Sequence, residues 1–63
     1  MDFVEALNKK LEDKKQMLIA ALGQGSAKDF ADYKDLCGRI RGLADAQMEL
    51  NDLSRTMKEN DED

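Results

Sequence analysis

Leu22-Gly23-Gln24-Gly25-Ser26-Ala27 divides this sequence into two helical halves. Two glycines and a serine stand between apolar runs, and no proline occurs elsewhere to break the chain. Gly23 can adopt the left-handed C′ conformation that closes a helix. Ser26 can cap the next one, with Asp29 three residues on in a capping-box-like spacing. The predicted connection, residues 23–26, has a normal length for an antiparallel helical pair.

Upstream, the spacing predicts a helix over 2–22. Val4, Leu7, Leu11, Leu18 and Leu22 fall on one stripe, flanked by Phe3 and Ala21, with Lys14 as its basic member. Asp2 and Glu5 in the first turn favour the helix dipole. Lys9, Lys10, Lys14 and Lys15 face Glu5, Glu12 and Asp13 at mixed helical spacings, which reads as a solvated charged surface. Downstream, a second helix is expected over 27–58. Its seam is Tyr33, Leu36, Ile40, Leu43, Gln47, Leu50, Ser54 and Met57, in alternating steps of three and four. Phe30, Cys37, Ala44 and Leu53 flank that seam. Gln47 and Ser54 interrupt it with polar groups, which weakens it and can select a register. Glu59-Asn60-Asp61-Glu62-Asp63 is expected to be a disordered acidic tail. The reading is a single all-α domain: an antiparallel helical hairpin with a longer second helix, packing in coiled-coil fashion with a partner or with itself.

Size sets the next constraint. A chain of 63 residues buries only about 60% of the surface its unfolded form exposes, so its stability is marginal without help. Cys37 is the only cysteine and there is no histidine, so neither an internal disulfide nor a zinc site of the usual composition is expected. Oligomerisation or docking remains. Charged residues make up 38% of the chain and aromatic residues 5%, a composition suited to long helices. The net charge of −4 argues against a general nucleic-acid binder. The longest apolar run, Met17-Leu18-Ile19-Ala20-Ala21-Leu22, is far short of a membrane span. Met1-Asp2-Phe3-Val4-Glu5 lacks the basic and apolar regions of a signal peptide.

Helix lengths suggest where a partner would bind. At about 1.5 Å per residue, the first helix folded back from a tight turn is expected to cover the second only to about residue 47. Met48, Leu50, Leu53 and Met57 would then form an uncovered overhang for another chain. A second candidate lies in Gly38-Arg39-Ile40-Arg41-Gly42. Two mid-helix glycines cost about 1 kcal/mol each against alanine. Gly38 and Gly42 lie one turn apart, with Ala31 and Ala46 nearby, either as a shallow docking face flanked by Arg39 and Arg41 or as glycines the helix merely tolerates.

Chemistry finds little foothold. Cys37 has neither a histidine base nor a resolving cysteine, and beside the seam it reads as a small hydrophobe. The carboxylates from Asp29 to Asp52 lack the calcium-loop spacing. Phe30 and Tyr33 read as lids on the core, not as base-stacking platforms. No catalytic residue, metal, cofactor or small-molecule substrate is expected.

Gly25-Ser26-Ala27-Lys28-Asp29-Phe30-Ala31-Asp32-Tyr33-Lys34, continued by Leu36-Cys37-Gly38-Arg39-Ile40-Arg41-Gly42-Leu43, resembles a class of short helical proteins encoded by tailed bacteriophages. The resemblance spans roughly residues 4 to 55. It implies that Asp29, Tyr33, Gly38, Ile40, Gly42 and Leu43 are the class's shared positions, and that the protein works among virion or head-assembly components, in the virion or the host cytoplasm. The expected function is structural or assembly packing against a virion protein or itself. The alternatives are a small acidic inhibitor of a host enzyme or DNA-binding protein, with Glu59–Asp63 mimicking phosphates, and a nucleic-acid-binding hairpin using Arg39 and Arg41.

Overall fold

The computed structural model describes residues 2–61, with side chains through residue 58. It is an all-α hairpin: α1 spans Phe3–Gly23 and α2 spans Phe30–Asp61, packed antiparallel along their lengths. Asp2 caps α1, its Oδ1 accepting the Glu5 amide at 2.8 Å.

The connection is residues 24–29, longer than the predicted 23–26 and shifted along the chain. Gly25, at φ +75, occupies the left-handed position, two residues beyond the glycine the sequence suggests. The Gly25 amide donates to the Leu22 carbonyl at 3.1 Å and the Ser26 amide to the Ala21 carbonyl at 3.0 Å. These are the two bonds of a Schellman closure. They draw Ser26 into the end of α1, so it does not cap α2. Asp29 does that instead: its Oδ1 accepts the Asp32 amide at 2.9 Å, while Asp32 Oδ2 accepts the Lys28 amide at 3.2 Å.

This shift resets the register. α2 begins three residues later than expected, and the six-residue connection lets its first turn project beyond the end of α1. Asn8 Nδ2 donates to Asn51 Oδ1 at 3.2 Å, which sets those two residues level. The five α1 residues before Asn8 then run alongside α2 to about residue 56, since both helices rise about 1.5 Å per residue. The overhang beginning near residue 47 therefore does not exist. Leu50 and Ser54 are half-buried against α1. At the far end α2 is helical through Asp61, so the expected disorder does not begin at Glu59. Neither glycine nor proline follows Lys58 to stop the helix. Residues 62 and 63, and the side chains from Glu59 onward, lie outside the described residues.

On α2 the seam follows the sequence pattern at Leu36, Ile40, Leu43, Gln47, Leu50 and Ser54, all half-buried, while Tyr33 and Met57 are exposed. On α1 the seam differs. Val4, Asn8, Leu11, Lys15, Leu18 and Leu22 are half-buried in unbroken heptad steps, whereas Leu7 and Lys14 lie outside. The polar members meet across the interface. Lys15 Nζ donates to Gln47 Oε1 at 2.9 Å. Gln47 Nε2 donates to Glu12 Oε2 at 3.0 Å and to Asn8 Oδ1 at 3.3 Å. Lys15 also pairs with Glu12 at 2.9 Å.

No residue among those described is fully buried. The molecule measures 52 × 20 × 12 Å, so it is one helix thick and both broad faces are open. Its accessible surface, 5190 Å², exceeds the about 4,100 Å² of a globular monomer of the same mass.

Candidate functional site

The two broad faces differ in chemistry. Between Lys14, Met17, Leu18, Arg39, Gly42 and Leu43 lies a groove of about 500 Å³. We refer to this side as the groove face. The other side carries a shallower depression between Glu5, Asn8, Lys9, Glu12 and Gln47.

The seam positions of both helices are each preceded by a residue on the groove face. On α1 these are Phe3, Leu7, Lys10, Lys14, Met17 and Ala21; on α2 they are Asp35, Arg39, Gly42, Ala46, Glu49 and Leu53. Each helix thus carries two adjacent heptad frames, one against its neighbour in the hairpin and one outward. Paired frames of this kind are what a helix in a bundle shows when it touches two neighbours. Helical geometry and the Asn8–Asn51 register set Phe3 level with Met57 and Leu7 with Leu53. Phe3 is 79% exposed, Met17 71%, Leu53 58% and Met57 56%. Burying each such side chain would contribute about 1.5–3 kcal/mol.

On the opposite face the α1 half is polar and internally bonded except at Ile19, near the turn. Glu12 accepts from Lys15 and Gln47 and, at 3.2 Å, from Gln16 Nε2. Hydrogen bonding to Lys15, then Gln47, then Gln16 lowers the Glu12 carboxyl to about 2. The α2 half carries Phe30, Tyr33, Cys37, Ala44 and Met48. Phe30 and Tyr33 stack with ring centroids 6.2 Å apart, and Lys34 Nζ lies 5.7 Å from the Phe30 ring centre. Phe30 is 72% exposed and Tyr33 48%, so neither forms the expected lid over a core. Hydrogen bonding with the Cys37 thiol one turn on raises the Tyr33 phenol.

The sequence-predicted binding residues separate under this geometry. Leu50 belongs to the hairpin seam and not to an uncovered overhang. Met48 lies on the opposite face from Leu53, and Met57 continues the seam one step after Ser54, so the three do not form one patch. Arg39 pairs with Asp35 at 3.0 Å and lines the groove, while Arg41 projects toward the opposite face. The two arginines therefore provide no shared strip for a phosphate backbone. Gly42 lines the groove and Gly38 faces outward from α1. A methyl group added at either would meet no atom of the chain within 4 Å, so packing within the hairpin gives no reason for a glycine at 38 or 42. Phe3, Leu7 and Met17 were not anticipated in a binding role. Their signal is the frame that precedes the seam by one residue.

Among the described residues no cluster of metal-ligating side chains occurs, and no helix is long and apolar enough to cross a membrane. Comparison with protein-family models, with curated proteins and with solved structures finds no match for this chain.

Proposed function

We propose that this chain is a protein-binding helical hairpin that completes its core by packing against another chain, and that it serves as a structural or assembly component of a tailed-phage virion. The observation that carries the binding role is the inversion of burial: among the described residues no side chain is fully buried, while large hydrophobic residues lie open on the surface. A two-helix plate has no interior, so its apolar groups can leave water only between molecules. The mechanism is helix-on-helix packing of apolar stripes, with charged rims setting register.

The virion setting rests on the resemblance of residues 25–43 to short phage proteins. Mass spectrometry of density-purified particles of the encoding phage tests it. Recovery in fixed ratio to the major capsid protein is expected. Absence from particles, with the protein abundant in infected-cell lysate, would rule out a virion component.

A further inference from the structure

We propose that the groove face binds a second copy of this chain, forming a four-helix bundle whose two-fold axis runs parallel to the helices, so that α1 of each copy lies over α2 of the other. This rests on the protein-binding reading and names the partner.

Area is the first support. A 52 × 20 Å face offers at most about 1,000 Å² per partner, which falls within the range of stable interfaces. Docking there would also remove the surface that the hairpin exposes beyond a compact monomer. The choice of face follows from its composition. On the groove side α1 presents the large apolar groups Phe3, Leu7 and Met17, and α2 presents Leu53 with the small Gly42 and Ala46 between its charged residues. On the opposite side α1 presents polar groups already bonded to one another, with Ile19 as its large apolar residue.

Charge then selects the orientation. On the groove face the only charged residues of α1 are Lys10 and Lys14, and neither forms an ion pair among the described residues. On α2 the Arg39 charge is matched by Asp35, which leaves Glu49 as an acid with no ion pair among the described residues. The Asn8–Asn51 register sets Glu49 level with Lys10 and one turn from Lys14. With the two-fold axis parallel to the helices, the lysines of each copy lie over Glu49 of the other, and every neighbouring pair of helices runs antiparallel. A two-fold axis across the helices would instead lay α1 on α1 and lysine on lysine, which like-charge repulsion disfavours. Gly42, beside Met17 in the groove, lets the two backbones approach there.

Sedimentation equilibrium of the purified full chain tests the proposal. Twice the 7.1 kDa chain mass is expected. Leu53→Asp, at an exposed position of the groove face, should weaken association at least about a hundredfold, whereas Met48→Asp on the opposite face should leave it intact. Lys14→Glu and Glu49→Lys should each weaken the dimer about fivefold, and the two together should restore it. A dimer lost with Met48→Asp but kept with Leu53→Asp would overturn the choice of face. Strengthening by Lys14→Glu alone would overturn the orientation. A monomer with weak, non-cooperative helicity would overturn self-association and leave packing on a different protein standing. A fully helical monomer that melts cooperatively would overturn both readings.

Discussion

The seam between the helices and the groove face outside it invert the usual arrangement. Inside, the middle of the seam holds an amide, a lysine, a glutamate and an asparagine bonded to one another around Gln47. Outside, Phe3, Met17 and Leu53 lie more than half exposed. The seam therefore combines a register-selecting polar layer with aliphatic side chains that reach only half burial, whereas the large apolar groups of the groove face stay open. A polar layer at one heptad level has one alignment that satisfies all its members, so it penalises a slipped hairpin at some expense in stability. The apolar face outside can add the missing stability only through another molecule.

The sharpest way to break this contrast is to charge the seam's apolar part. Leu50→Asp should destabilise the hairpin by about 2–4 kcal/mol and abolish most helicity by circular dichroism. Retained helicity would mean that Leu50 serves an outside partner and not the hairpin. Next in size, Gln47→Leu should raise the unfolding midpoint, worth about 1–2 kcal/mol, while more than one set of amide resonances appears as register is lost. A single set with a lowered midpoint would mean that the polar layer supplies stability instead of specificity.

The helix count, the antiparallel pairing and the α2 seam were legible because apolar residues at heptad spacing leave few other solutions. The α1 seam was not. Counting apolar residues favours Leu7 and Lys14 as stripe positions, yet Asn8 and Lys15 face α2 because their polar ends find Gln47. Partner complementarity outweighed hydrophobicity there, and it is visible only once the two helices are aligned. The overhang failed for a related reason. Gly23 and Ser26 suit the caps as well as Gly25 and Asp29 do, and only the two closing bonds to Ala21 and Leu22 distinguish them. Those few residues of shift move Leu50 from outside partner to seam. The outward frame of Phe3, Leu7 and Met17 was present in the sequence as doublets such as Phe3-Val4 and Met17-Leu18, in which the first residue faces out and the second faces in.

Two smaller effects sharpen the comparison. Gly42→Ala should raise the helicity of the dissociated hairpin, by about 1 kcal/mol of helix propensity, because the added methyl meets nothing in the chain. The same change should weaken dimerisation, since the methyl would stand between the two backbones. Equal stabilisation of both states would show that no backbone approaches Gly42. Glu12 supplies a pH test. Its folded-state value of about 2 lies below the ordinary 4.5, so its contribution is complete above pH 4.5 and is lost as pH falls toward 2. The group is half-exposed, so screening keeps the effect small. The stability difference between the native chain and Glu12→Gln should be flat above pH 4.5 and shrink steadily below it. A difference independent of pH would place the Glu12 contribution in packing.

The most direct test of the central claim is the thermal midpoint of the hairpin, followed by circular dichroism over about a hundredfold range of protein concentration. If stability resides in the face between molecules, the midpoint rises with concentration by mass action. A cooperative midpoint that does not move would show that the seam alone holds the hairpin together, and would contradict the account.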